Sequence, residues 1–394
     1  MADEVFSYTS SKFQANFKTI FGEPTEIALN LSSPYRARVR KSFDFTGASK
    51  TGSVSLSLGG GRGSGSNLPA SNQRTVEDSI LSKIETYGKY VLNRPTLIAG
   101  SDDKGSFRRS DKLAVKGVVD SVNLNLERQC FGQDVLGVIT GSPSASGAVY
   151  TCVISAASWV RANFLLGDYV NVETGNTDQF EVTAITPSTR TVELTRITGS
   201  QVPADTDEIF LQNSEGNEMI GYADAFDSSV TSLFNITKQE GWNASRVNAA
   251  SATISNDFLA DAVIDQQSTT GKAPTEIHAS VGQFKNLLAS VQDPQYYIGV
   301  AKSGEYKMSY KGLSLLSPVT NEELPVFINR FIHDTKVYLI NNEESELCFA
   351  PNFGWFEEGP QRITGTTNYE YPFGGEVAHY FHPSFQTEIY GLAS

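Results

Sequence analysis

The sequence predicts an α+β chain of more than one domain, built from extended strands, one long helix and a small β-barrel or sandwich. Three observations carry that expectation. Val54, Leu56 and Leu58 alternate with Ser53, Ser55 and Ser57, a strand period of two that runs into a glycine-rich turn. Val115, Val119, Val122, Leu126 and Cys130 recur at steps of three and four, which places them on one stripe of a helix. Short β-branched and aromatic runs then punctuate residues 136–213 at even spacing. At 394 residues the chain exceeds the roughly 250–300 that one hydrophobic core serves.

Residues 1–41 hold little apolar periodicity. Pro24 and Pro34 interrupt them, and Arg36, Arg38, Arg40 and Lys41 place cations at strand spacing. Both an extended arm and a solvated strand face fit that pattern. Residues 42–95 read as a long hairpin. Phe43 and Phe45 alternate with polar residues, GGGRGSGSNLP (59–69) forms the turn, and the chain returns from Ile80 to Leu92. An isolated two-stranded hairpin is marginal in water, so this one is expected to find no home on its own subunit and to need another copy of the chain.

Residues 96–135 contain the best helix, 107–131, with Ser110 as its expected N-cap and Gly132 as its stop. Lys112, Lys116, Asp120, Asn123 and Glu127 cover its other faces. Residues 136–215 hold strands at 149–154, 169–172, 180–185, 191–197 and 209–211, separated by Gly167 with Asp168, Gly175 with Asn176, and Pro187 with Ser188. Residues 216–345 are mixed. Asn256 caps a helix bearing Phe258, Leu259, Ala262 and Val263; a strand at 276–279 leads into a helix at 281–291, and strands follow at 326–328 and 337–340. In 346–394, Tyr369, Tyr371, Val377, His379, Phe381 and Ile389 again fall at alternating positions.

The formal charge is −13, from 31 basic and 44 acidic residues, which repels phosphate backbones and argues against a dedicated nucleic-acid binder. Cys130, Cys152 and Cys348 form no CxxC pair and read as buried thiols of a reducing compartment. The first residues, MADEVFSYTSSKF, lack the basic start and apolar run of a signal peptide, and no stretch reaches the about 18 apolar residues of a membrane helix. The expectation is synthesis and retention in cytoplasm, with no membrane partner.

Chemistry-bearing motifs are weak throughout. The glycines of 59–65 enclose Arg62 but are not followed by the Lys and Ser/Thr of a phosphate loop, so a flexible turn is the better reading. His379 and His382, with Glu376 and Asp334, could be drawn as a metal site, but residues three apart on a strand face opposite ways and Pro383 disfavours a helix. Glu343, Glu344 and Glu346 beside Asn341 and Asn342 read as a solvated loop, and Asn235 and Asn243 head sequons that have no meaning without secretion. No catalytic residue, cofactor-binding residue or metal ligand is expected, and the chain is read as a non-enzyme.

Three stretches carry a family resemblance: LNLERQCFGQ (124–133) closing the long helix, GDYVNVETGNTDQFEVTAITPSTRTVELT (167–195), and ITGTTNYEYPFGGEVAHYFHPSFQTEIYGL (363–392). In this order they resemble the tailed-bacteriophage major capsid proteins of the Hong Kong 97 fold, in the subgroup with a β-barrel-like insertion. The resemblance implies an N-terminal arm (1–41), an extended hairpin loop (42–95), a peripheral domain with a spine helix (96–135), an inserted barrel-like domain (136–215), an axial domain (216–345) and returning peripheral-domain strands (346–394). It further implies self-assembly into pentamers and hexamers of an icosahedral head, a portal partner, scaffolding or decoration proteins, and double-stranded DNA enclosed without sequence-specific binding. The virion capsid is then its place, reached by assembly in the host cytoplasm. Some relatives join a hairpin Lys to a neighbour's Asn. Lys50 lies on the hairpin, but no motif marks an Asn partner, so non-covalent locking is expected. An encapsulin-type nanocompartment shell shares the implied fold, and an acidic β-rich metal-dependent hydrolase is the alternative of another class.

Overall fold

The computed structural model describes residues 34–56, 75–93, 104–239, 241–291, 313–320, 322–355, 361–363, 366 and 368–393. The first strands are β1 (Arg40–Ser42), β2 (Ser49–Ser55), β3 (Val76–Ser82) and β4 (Ile84–Asn93). β2 and β3 pair antiparallel from Ser49 opposite Ser82 to Ser55 opposite Val76. The alternation read from the sequence sorts the two faces of this ribbon. Leu81 and Ser79 are buried, while Val76 and Ile80 are exposed. The hairpin is shorter than the expected 42–95, because β4 leaves it and pairs with a strand near the C-terminus. Its glycine-rich turn lies outside the described residues.

The helix α1 (Lys104–Phe131) spans 28 residues, about 42 Å at 1.5 Å per residue. Ser110, the expected cap, is inside it. Gly132 does mark its end, its N–H donating to the Arg128 carbonyl at 2.7 Å. The predicted stripe is buried at Val122, Leu126 and Cys130, but Glu127, Arg128 and Gln129 are buried as well. From Leu126 to Phe131 every residue is buried, so Glu127 does not serve a solvated face.

A seven-stranded sheet follows: β5 (Val135–Val138), β6 (Ser144–Ser146), β7 (Val149–Val153), β8 (Tyr169–Val172), β9 (Phe180–Thr186), β10 (Thr191–Arg196) and β11 (Glu208–Leu211), in the order β5-β11-β8-β9-β10-β7-β6. The end of β5 returns to β7 through an antiparallel bridge between Ile139 and Ile154. Two backbone bonds of 2.8 Å flank it, Thr140 N–H to Val153 O and Ser155 N–H to Val138 O. Six strands thereby close into a barrel, which removes the exposed edges of an open sheet. Val170, Val172, Val192 and Leu194 alternate into its sealed core.

After α2 (Tyr222–Phe226) and the short hairpin of β12 (Ser232–Leu233) and β13 (Ile236–Thr237) comes a mixed layer. It contains β14 (Ser245–Asn248), α3 (Asn256–Thr270), β15 (Glu276–Ala279), α4 (Val281–Val291), β16 (Leu313–Leu316), β17 (Glu323–Ile328) and β18 (Val337–Ile340). α3 is capped by Ser255, whose side chain accepts from the Phe258 N–H, so Asn256 is its first residue and not its cap. The last strands are β19 (Ser345–Phe349), β20 (Gly354–Trp355), β21 (Gln361–Arg362), β22 (Asn368–Phe381) and β23 (Thr387–Tyr390). β22 gathers one sheet: β1 and β19 extend one edge with β20 and β21, and β4 pairs along ten residues of the chain from Ile84 to Asn93. β23 departs from the expected return of 346–394 to that sheet. It inserts between β14 and β18, in the order β14-β23-β18-β15-β17-β16. The chain thus passes from one sheet to the other at β18–β19 and back at β22–β23.

Candidate assembly site

The hairpin is the element that sequence reasoning marked for contact with another copy. Its described part already rests on its own subunit. Ile80 N–H donates to Phe234 O at 2.8 Å, Leu81 is sealed in the main core, and Val54 and Leu56 pack against that core. The expectation of a hairpin without a home is therefore wrong for its base. Alternation explains why: it places Val54 and Leu81 on the inner face, enough apolar surface to dock the ribbon. Its outer face shows Val76, 50% exposed, and Ile80 to solvent. Lys50 extends over the sheet edge to within 3.7 Å of the Glu346 carboxylate, which also pairs with Arg40 at 3.0 Å. Nearby, Phe43 stacks on Phe349 at 5.2 Å yet is 57% exposed. On the barrel, Leu166 is 67% exposed, and Val202 stands out in the same way.

Residues 34–42 hold the second structural surprise. They form a clip anchored by the buried Tyr35 and Val39, with Arg38, Arg40 and Lys41 exposed along it. Tyr35 is fully enclosed; its hydroxyl lies 2.8 Å from both Tyr222 Oη and His379 Nε2. The Tyr35 and Arg36 N–H groups donate to the Glu127 carboxylate at 3.2 and 3.0 Å, and Asn329 Nδ2 donates to it at 3.2 Å. Arg38 pairs with Glu276 at 2.8 Å and stacks 3.3 Å above the Phe327 ring. β1 then runs parallel to β19. Nine residues so tie α1, α2, β22, β19, β15 and β17 together.

Burial sets the electrostatics of this junction. It pushes the Tyr35 and Tyr222 hydroxyls well above their ordinary range. It raises Glu127 despite the backbone donors of Arg36 and Tyr35. Burial also pushes Glu276 upward, but His278 and Arg38 outweigh it and hold that carboxyl below the usual range. His379 is driven down to about 4 by burial, against the hydrogen bond to the Ile220 carbonyl.

The other residues singled out in the sequence do not converge. His379 faces Tyr35 and Ile220, whereas His382 lies against Trp242 and Phe385 with Nδ1 2.9 Å from Ser384 Oγ. Glu376 pairs with Lys83 at 2.6 Å. Glu344 pairs with Lys272, and Glu346 with Arg40 and Lys50. Among the described residues, no group of three or more His, Cys, Asp or Glu is placed to hold a metal ion, and no helix is long and apolar enough to cross a membrane. The three cysteines are buried, with burial pushing the Cys152 thiol up to about 12 and that of Cys348 up to about 11. Tyr35, Glu127 and His278, central to the junction, had no sequence signal: nothing local tells a buried Tyr, Glu or His from a solvated one.

No protein-family model and no curated protein matches the sequence. Solved structures do match. The capsid asymmetric unit of cyanophage A-1(L) aligns at a TM-score of 0.55 and 10% identity, covering 95% of this chain and 98% of that one. A structure of Gordonia phage Cozz aligns at 0.48 and 9%, covering 100% and 97%. The holo-SrpI encapsulin complex from Synechococcus elongatus PCC 7942 aligns at 0.46 and 7%, covering 96% and 95%. The chain has the Hong Kong 97-like fold of tailed-phage capsid proteins.

Proposed function

We propose that this chain is the shell-forming subunit of a tailed-phage head, a major capsid protein that builds pentamers and hexamers around double-stranded DNA. The observation that carries the reading is the likeness to the cyanophage A-1(L) capsid subunit over nearly the whole of both chains. The likeness runs over 95% of this chain and 98% of that one, and the fold suits repeated lateral contact between copies. The exposed outer face of the β2–β3 ribbon, with the turn beyond it, lies across a neighbouring copy and locks it without a covalent bond. The unit at 136–215 is an inserted domain on the outer face, open to a decoration protein, while a portal occupies one vertex. The net charge of −13 keeps the packaged DNA from being gripped by the wall.

Electron microscopy of the purified chain tests the reading: closed shells or capsomers are expected, and a monodisperse monomer at high concentration would sink it. Replacing residues 57–74 by a short Gly-Ser turn spares all seven β2–β3 pairs. That variant is expected to fold and fail to close shells. Normal closure would remove the turn from the locking role, and closure that also survives Val76→Asp with Ile80→Asp would remove the ribbon's outer face.

A further inference from the structure

A chain of five short polar contacts crosses the buried junction. His379 Nδ1 lies 3.1 Å from Ile220 O, and Nε2 lies 2.8 Å from Tyr35 Oη. Tyr35 Oη is 2.8 Å from Tyr222 Oη, which is 2.9 Å from Ser345 Oγ. Ser345 Oγ is 3.0 Å from Asn341 O. Both ends are carbonyl oxygens, which only accept, so each contact needs one proton. Three hydroxyls and a neutral imidazole bring four. With Nδ1–H on Ile220, the donors run Ser345 to Tyr222 to Tyr35 to Nε2, and Ser345 has no proton left for Asn341. An imidazolium brings the fifth proton and reverses the run: Nε2–H to Tyr35, Tyr35 to Tyr222, Tyr222 to Ser345, Ser345 to Asn341 O.

We infer that His379 is a buried proton sensor whose protonation reverses this chain and releases the clip formed by residues 34–42. The reversed chain is fully bonded, but among the described residues the imidazolium hydrogen-bonds only to the Tyr35 hydroxyl and the Ile220 carbonyl, and no carboxylate is in contact with it. The titratable and charged groups on the surrounding elements are Arg36, Arg38, Arg40 and Lys41 in the clip, Glu127, Arg128 and Cys130 on α1, Tyr222 and Asp224 on α2, Glu276 and His278 on β15, Glu346 on β19, Glu376 and Tyr380 on β22, Lys83 between β3 and β4, Glu85 on β4, and Glu218 before α2. Glu276 is paired by Arg38 and His278, Glu346 by Arg40 and Lys50, Glu376 by Lys83 and Glu218 by Arg128, whereas Glu127 and Asp224 are fixed away from the ring by neutral donors: the Tyr35, Arg36 and Gly221 N–H groups and the Asn329 amide. An uncompensated buried charge is costly, and it is relieved when water reaches the ring. Tyr35 covers that ring from the nine-residue clip, so lifting the clip admits water to the ring and breaks its bonds to Glu127 and Glu276. The low ordinary occupancy of the charged form, with His379 held down to about 4, confines release to acid conditions. The inference stands whether or not the chain builds a shell.

Hydrogen exchange of the peptide covering residues 34–42, corrected for the intrinsic pH dependence, tests it directly. Protection is expected to fall about tenfold or more between pH 6.5 and pH 4 in the wild type. In His379→Gln, which cannot titrate, protection is expected to stay level, and in Glu127→Gln, which removes the competing buried acid, the fall is expected to persist. An undiminished fall in His379→Gln, or its loss in Glu127→Gln alone, overturns the inference. Should His379→Gln not fold, NMR titration of the wild-type ring decides: its midpoint must coincide with the loss of protection, and a ring that titrates without any such loss refutes the sensor.

Discussion

At Gly88, strand β4 and helix α1 meet with no room for a side chain. A Cβ there would sit 2.8 Å from Val122 Cγ2 and 2.9 Å from Val118 Cγ1, and neither branched side chain can swing aside within a helix. The glycine is what lets the ten-residue strand lie flat on the helix. Gly88→Ala is expected to cost about 1–3 kcal/mol in urea unfolding. Part of that loss should return in the Val122→Ala background, because the clash has lost one partner. Strict additivity in that double-mutant cycle would show that the cost arises elsewhere. Polar residues at this scale act in the same spatially determined way. Arg128 and Glu218 are both buried and pair with each other, although each looks like a surface residue when read along the chain.

Among the elements, local ones were legible and long-range ones were not. The barrel strands fell close to where β-branched alternation placed them, because a strand period and a turn signal are local facts. β4 was read as the return arm of the hairpin, since nothing near it reveals a partner such as Tyr371, which lies opposite Tyr90. β23 was read with the closing strands for the same reason; its neighbours, β14 and β18, lie far back in the sequence. The clip at 34–42 stayed hidden because its acceptors, Glu127, Glu276 and Glu346, come from three separate segments. The helix cap shows a finer miss. Asn256 and Ser255 are equally good capping residues, and only the backbone decides: Ser255 is extended, with φ −137° and ψ 164°, and its hydroxyl takes the Phe258 N–H. Ser255→Ala should therefore cost about 1 kcal/mol and Asn256→Ala much less, measured by thermal or urea unfolding. The reverse order would move the start of α3 by one residue.

Across the whole molecule, buried titrating groups pull stability in opposite directions over one pH window. His379 and His382 are held down to about 4 from an ordinary 6.5, in both cases chiefly by burial. Their neutral forms fit the folded chain, so their contribution is complete above pH 6.5 and is lost as pH falls through the folded values. Asp168 and Asp224 are pushed up to about 6 from 3.8, again by burial. Their protonated forms fit the fold, so their contribution is complete below 3.8 and is lost as pH rises through 6. Each group is worth up to about 3 kcal/mol. Between roughly pH 4 and 6 the two sets offset each other, and the unfolding free energy changes less than either set alone would dictate. Asp168→Asn removes one group that gains as the medium is acidified. Its unfolding free energy should fall more steeply than the wild type's from pH 6.5 to pH 4. Urea midpoints at half-unit pH steps measure the slopes, and parallel curves for the two proteins would mean that the Asp168 carboxyl is ionised in the fold at an ordinary pH.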